Sequence, residues 1–304
     1  MLALDPNTLE TAPTPLADGD SAPGPVRCGG PSWPQLAVMA ALLVACFGQY
    51  VTWMAERWWR DEYYGHGMFI PVVSGYLISR RLGTMAALPR RGFAWGLPFI
   101  VIGLGLHILA STADVNFPSG FGLVLTIFGM TAWLWGWPVA RACAFPLAFL
   151  AFMVPLGRLL VDKAGMPMQL MAASLGGTFA AHLGLPVQIE GTTLRVPGYT
   201  FAVAAACSGL KSVIAMTALA ALYAYLVEGR LWQRLLIVAG CIPVAILSNA
   251  IRVTVTLILG KALGRGAAEG FLHTASGAMV FIIALIGLTL LASVLRCNQI
   301  REDV

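Results

Sequence analysis

Apolar residues in this chain run on in blocks, most of them near 20 residues long, instead of alternating or marking one stripe of a helix. The blocks fall at 34–53, 67–80, 93–112, 119–137, 142–156, 207–226, 235–259 and 272–295, separated by short polar segments. A bilayer core of about 30 Å asks for roughly 20 apolar residues per crossing helix. The pattern therefore predicts an all-α polytopic membrane protein with about eight transmembrane helices. The 67–80 and 142–156 blocks fall short of a standard span, so they are expected to be tilted, extended at their ends or re-entrant.

The pattern changes between the fifth and sixth blocks. Met166 to Leu185 has helical spacing, with Gly176 and Gly177 interrupting it, and reads as an interfacial or partly buried helix. His182 near its end reads as a solvated or hydrogen-bonded residue. Val187 to Glu190 and Thr193 to Val196 then alternate apolar and polar around Gly191-Thr192, the pattern of a β-hairpin with a Gly-X turn. A second turn at Pro197-Gly198 leads into the strand-like Tyr199 to Val203, which delivers the chain to the sixth block. This small extramembrane hairpin is the one predicted departure from an all-helical fold.

Two domains follow from the pattern. Residues 1–33, rich in Pro, Gly, Thr, Ser and Asp, cannot bury enough surface to fold and read as a disordered tail. Residues 34–304 form the transmembrane domain. No cleavable signal is expected, because the first apolar block follows an acidic tail and has no small-residue cleavage site before Trp53, Trp58 and Trp59.

Composition supports the membrane reading. Hydrophobic residues make up 58% and charged residues 11% of the chain, with a mean hydropathy of +0.79, against about 25% charged in ordinary soluble domains. The net charge of +5 raises the question of nucleic acid, but the basic residues stand singly or in pairs between apolar blocks. That is a topology signal and not a basic face, so no nucleic-acid partner is expected. With the N-terminus inside, the inner segments carry ten arginines and the outer segments seven Lys or Arg, leaving Lys211 and Arg252 within spans. The six cysteines include no CxxC pair, and neither a metal site nor a disulfide framework nor a cofactor is predicted.

Three spans carry candidate chemistry. Cys207 opens Cys207-Ser208-Gly209-Leu210-Lys211 at a helix entrance, where unpaired N–H groups, the helix dipole and Lys211 one turn further on all favour thiolate over thiol. Arg252, in Ser248-Asn249-Ala250-Ile251-Arg252, is an intramembrane cation that asks for a partner or a cavity, with snorkelling as the plainer reading. Asn249 shares its helix face. His273 begins the last span. Antiparallel threading brings the start of one span, the far part of the next and the start of the third to one membrane face. Thiolate, imidazole and guanidinium are a coherent set for acyl transfer. His66, in Gly65-His66-Gly67, is a supporting or substrate-facing candidate, while His107 within the third span reads as buried and hydrogen-bonded.

At these residues the chain resembles the exosortase/archaeosortase family of membrane transpeptidases. The resemblance runs from Gly65-His66-Gly67 through Pro146 to Pro155, Gly184-Leu185-Pro186-Val187, Glu190-Gly191 and Val196-Pro197-Gly198 to the motifs around Cys207, Arg252 and His273. It implies that Cys207, Arg252 and His273 are catalytic, with Ser208, Lys211, Asn249 and His66 supporting them or binding substrate. It also implies the substrates: secreted proteins ending in a Pro-Glu-Pro type (PEP-CTERM) sorting signal, cleaved through a thioester at Cys207 that an acceptor amine or water resolves. Many relatives carry Arg where Lys211 stands. The expected location is the cell inner membrane, with the site on its outer, periplasmic face. A transporter or channel with a structural intramembrane Arg is the alternative reading, and a serine protease using Ser208 or Ser276 ranks below it.

Overall fold

A computed structural model describes residues 31–61, 63–90, 92–156, 158–203, 209–264, 266, 271–297 and 299–301, with the side chains of 158–162 and 271–276 outside the description. The predicted tail lies outside the described residues except for its last three. Helix α1, Trp33–Arg60, starts where the Gln35 side chain accepts the Ser32 N–H at 2.9 Å, closing the first turn beside Pro34. Its length of 28 residues corresponds to about 42 Å at 1.5 Å per residue, more than a bilayer core.

The chain then turns through a 3-10 segment, Gly65–Met68, into α2, Phe69–Arg80, and the short α3, Leu82–Ala86. Helices α4, Gly96–Thr112, and α5, Phe117–Trp135, form a tight antiparallel pair. Glycines make that closeness possible: a methyl at Gly96 would press on Gly129 and Trp133, and one at Gly103 on Gly122 and Thr126. The short α6, Trp137–Ala142, precedes the predicted 142–156 block, which is broken into α7, Ala144–Phe149, and a 3-10 turn, Leu150–Met153. Pro155 follows immediately and stops further helix.

Among the described residues four helices are long and apolar enough to cross a membrane: α1, α5, the later α10, Leu231–Leu263, and the Gly277–Val294 part of α11, Phe271–Val294. The apolar stretches Gly96–Thr112, Ala144–Met153 and Leu210–Leu226 are shorter, and α2 has only 12 residues. This is a polytopic membrane protein with one small sheet.

The helix expected over 166–185 is present as α8, Arg158–His182, which starts eight residues earlier and runs through both glycines for 25 residues without a break. The two are contact points. Gly176 faces α10, where a Cβ would come within 2.5 Å of Val253 Cγ1, and Gly177 faces the sheet, where it would meet Ile189 and Leu194. Thr254 ties the same crossing by donating to the Gly176 carbonyl at 3.0 Å. Further along, Phe179 and Leu183 of α8 face Ile251, Val255 and Ile258 of α10 across a shallow groove, so α8 runs along the C-terminal half of α10.

The predicted hairpin is present and extended to three antiparallel strands: β1, Gln188–Glu190, β2, Thr193–Val196, and β3, Tyr199–Ala202. Glu190 pairs with Thr193 and Val196 with Tyr199, so both turns have two residues, with Gly191 and Gly198 supplying their positive φ values of 60° and 97°. Leu194, Val196, Phe201 and Val203 pack on Ala173, Ala180, Val253 and Leu257. The Tyr199 hydroxyl donates to the Leu257 carbonyl at 2.6 Å, fastening β3 to α10. The sheet is thereby docked where the chain leaves β3 for α9, Leu210–Leu226.

Candidate active site

Helix α10 is the platform. Its 33 residues span about 50 Å, so Arg252, 21 residues beyond Leu231, stands about 32 Å along it. If Arg230 and Arg234 mark the inner boundary, Arg252 lies at the outer edge of the bilayer core and not in its middle. The sequence around it is unusually polar for a spanning helix, and the polar groups are covered: Ser248, Asn249, Arg252, Thr254 and Thr256 are all buried, Asn249 at 2% and Arg252 at 7% exposure. The hydroxyls of Ser248, Thr254 and Thr256 donate to the carbonyls of Val244, Ala250 and Arg252 one turn back. Arg252 therefore does not snorkel into solvent, the plainer sequence reading.

Helix α9 packs antiparallel on this platform with a constant offset. The Thr217 hydroxyl meets the Cys241 sulfur at 3.6 Å. Eight residues outward along α9, Gly209 meets Asn249, eight residues outward along α10, and a Cβ at Gly209 would lie 2.9 Å from Asn249 Cγ. Gly209 has φ of 84°, a left-handed conformation that a side chain disfavours, and its carbonyl accepts the Val213 N–H at 2.9 Å to begin the helix. Only glycine satisfies both the backbone turn and the close approach.

Cys207 and Ser208 lie outside the described residues. Chain connectivity keeps Cys207 within two Cα–Cα steps of about 3.8 Å each from Gly209, and Arg252 stands one turn outward from Asn249. Lys211 is in the first turn of α9 and exposed. It projects from the side of the helix opposite Gly209, two residues away.

His273 falls in the first turn of α11, and its side chain is outside the description. Gly240 of α10 faces Leu291 of α11, and Val244 faces Gly287, so four residues outward on one match four outward on the other. The same register continued outward brings His273 level with Ile258, about 9 Å along the axis beyond Arg252. The backbone of α11 thus enters on the same face as the outer part of α10.

His66 belongs to a neighbouring cluster that sequence reading did not resolve. The 3-10 turn Gly65–Met68 packs on the turn Leu150–Met153, and two donors and one ring meet the backbone of that turn and of Leu156 just after it. Trp58 Nε1 donates to Met153 at 2.8 Å, the Tyr64 hydroxyl donates to Leu156 at 2.9 Å, and the His66 ring lies against the backbone of Phe152 and Tyr63. Burial pushes the imidazole pKa down, outweighing these backbone contacts, and the buried Nε2 makes no hydrogen bond. Burial, aided by the Asp61 carboxylate, pushes the Tyr64 phenol up to about 12, which keeps it a donor. The only advance signal of this clamp is the run of Trp, Tyr, Gly and His at 58–67. His182 sits at the end of α8, its Nδ1 bonded to the Thr178 carbonyl at 2.8 Å. His107 is half-buried and not buried as expected, and its expected hydrogen bond is made between Nε2 and the Cys46 carbonyl at 3.0 Å. Among the described residues no group of His, Cys, Asp or Glu could hold a metal ion.

No curated protein and no solved structure matches this chain. The sequence does match the family described as transmembrane exosortase (Exosortase EpsH) over residues 58–290, from Trp58 of the aromatic clamp to Leu290 in α11. Membership in this family suggests a membrane transpeptidase for sorting signals of secreted proteins. The match covers well over half of the 304 residues and includes every candidate site residue, so the chain belongs to the transmembrane exosortase family.

Proposed function

We propose that this protein is a membrane-embedded cysteine transpeptidase that cleaves PEP-CTERM type C-terminal sorting signals through a thioester at Cys207. The observation that carries the reading is the seat of Gly209 on Asn249, which ties the segment following Cys207 to the buried face of α10 that bears Arg252. In this mechanism the Cys207 thiolate attacks the scissile carbonyl, and Arg252 stabilises the oxyanion or holds the carbonyl. His273 exchanges protons with the thiol and the leaving amine. The amine departs with the membrane anchor of the substrate, and an acceptor amine or water then releases the acyl group from sulfur. Ser208 and Asn249 support the nucleophile segment, and His66 supports the floor of the site.

Eight passes, with the N-terminus inside the inner membrane and the site at the periplasmic face, fit this chemistry. The four long helices, the three shorter apolar ones and α2 supply the crossings. Co-expression with a tagged secreted protein ending in a sorting signal tests the reading. Cys207→Ala is expected to leave the substrate at full length, and normal processing by that variant removes the nucleophile role.

A further inference from the structure

The three-stranded sheet has an edge at β1 and an edge at β3, and the two differ. Which backbone groups face outwards follows from the register. Val196 pairs with Tyr199 across a two-residue turn, Leu194 pairs with Phe201, and the Val203 N–H donates to the Thr192 carbonyl at 2.9 Å. Residues 199, 201 and 203 therefore turn their N–H and C=O groups towards β2, and those of Thr200 and Ala202 point the other way. Both residues are exposed, and neither has a strand partner on that side among the described residues. By the same parity Ile189 carries the outward groups of β1.

An open strand edge invites unwanted pairing, and proteins ordinarily blunt it with charge, proline or shortness. The β1 edge is blunted in all three ways. It has three residues, begins just after Pro186-Val187 and bears Glu190, whose carboxylate pairs with Arg195 at 2.9 Å. The β3 edge has no charge or proline: none occurs from Tyr199 to Cys207. The strand is nevertheless held firmly. Phe201 and Val203 are buried among side chains of α8 and α10, and the Tyr199 hydroxyl donates to the Leu257 carbonyl. Cys207 follows Ala202 by five residues, at most about 18 Å of extended chain.

We propose that the outer edge of β3 binds the substrate peptide as a fourth strand, through the N–H and C=O groups of Thr200 and Ala202. The inference rests on the transpeptidase reading above and adds to it how the peptide is held. An extended polypeptide is the partner that fits, because its own N–H and C=O groups repeat at the two-residue spacing that separates Thr200 from Ala202. The added strand lies about 4.8 Å from β3. Its scissile bond falls beyond Ala202, on the side where the chain continues to the nucleophile. Main-chain pairing supplies affinity without reading every side chain, which suits an enzyme that takes a peptide segment from a larger protein.

An amide-to-ester scan of the substrate tests it on the unaltered protein in proteoliposomes. Synthetic sorting-signal peptides each carry one ester oxygen in place of a backbone N–H, at successive residues before the scissile bond. Loss of a paired donor is expected to lower kcat/KM about three- to tenfold. The loss should recur at every second residue, with the intervening peptides within about twofold of the all-amide one. In the protein, Ala202→Pro deletes an outward donor and no ladder bond of the sheet itself. It should melt within about 4 °C of the parent and raise KM several-fold with kcat little changed. A scan without alternation overturns the proposal. So does an Ala202→Pro variant that turns a dimer in detergent into a monomer with KM unchanged, since the edge then joins two copies of this chain. Cys207→Ala separates the two ideas: loss of processing in that variant with no alternation leaves the transpeptidase reading standing and removes the strand edge. Processing by Cys207→Ala with alternation intact refutes the thioester and keeps the edge as the peptide site.

Discussion

Gly209 and Asn249 touch across the α9–α10 interface, and a single added Cβ at Gly209 would lie 2.9 Å from the Asn249 side-chain carbon. This contact joins the first described residue after Cys207 to the helix face that holds Arg252. Gly209→Ala meets two penalties, the positive φ and the overlap, each about 1–2 kcal/mol. It is expected to lower the melting temperature in detergent and abolish processing. Asn249→Ala vacates the overlap, so the double variant should melt above the sum of the single losses, leaving only the backbone penalty. Additive melting losses would show that the two residues do not share this contact.

Arg252 is buried in the C-terminal half of α10, one turn from the equally buried Asn249. Replacing it by Ala is expected to leave a folded protein, shown by a monodisperse elution profile, with processing reduced at least about a hundredfold, as for loss of an oxyanion donor. Arg252→Lys keeps the charge but not the planar fork and should recover only part of the rate. Full activity in Arg252→Ala would make the guanidinium structural.

His66 predicts a pH effect with a defined sign. Its folded pKa lies below the ordinary value because burial disfavours the charged ring. The stability tied to the neutral ring is fully present above the unfolded pKa of about 6.5 and is lost as pH falls through the lower folded value. Melting temperature should therefore drop on acidification below about pH 6.5, and His66→Gln should flatten that part of the profile. An unchanged slope in His66→Gln would place the acid sensitivity elsewhere.

Gly176 sets the distance between α8 and α10. Gly176→Val would force branched atoms into Val253, which already lies 2.5 Å from an ideal Cβ, and should destabilise the fold by about 1–3 kcal/mol. Val253→Ala on the same background should restore part of the loss. Unaltered melting in Gly176→Val would mean that α8 is not seated on α10.

The hairpin was legible because a period of two and a Gly-X turn are local signals, and β1 and β2 pair through the predicted Gly191-Thr192 turn. The third strand also lay within the run Tyr199 to Val203. Gly176 and Gly177 misled for a physical reason: glycine weakens a helix, but here each is the place where another element comes close. In the site, the shared face of Asn249 and Arg252 follows from helical spacing alone. Their contact with Gly209 does not, because it depends on the register between two apolar helices whose small residues allow several offsets. The carbonyl clamp around His66 was hidden for a similar reason, since its acceptors are backbone atoms of residues 152, 153 and 156 and leave no mark in the side-chain sequence.

The most direct measurement is the covalent state of Cys207 during turnover. Proteoliposomes containing the protein and a sorting-signal substrate are quenched in acid and the Cys207 peptide is analysed by mass spectrometry, with and without hydroxylamine. The account predicts an acyl adduct on Cys207 whose mass equals the substrate portion before the scissile bond. The adduct is released by hydroxylamine and absent from Cys207→Ala. Continued cleavage with Cys207 unmodified, or undiminished processing by Cys207→Ala, would contradict it.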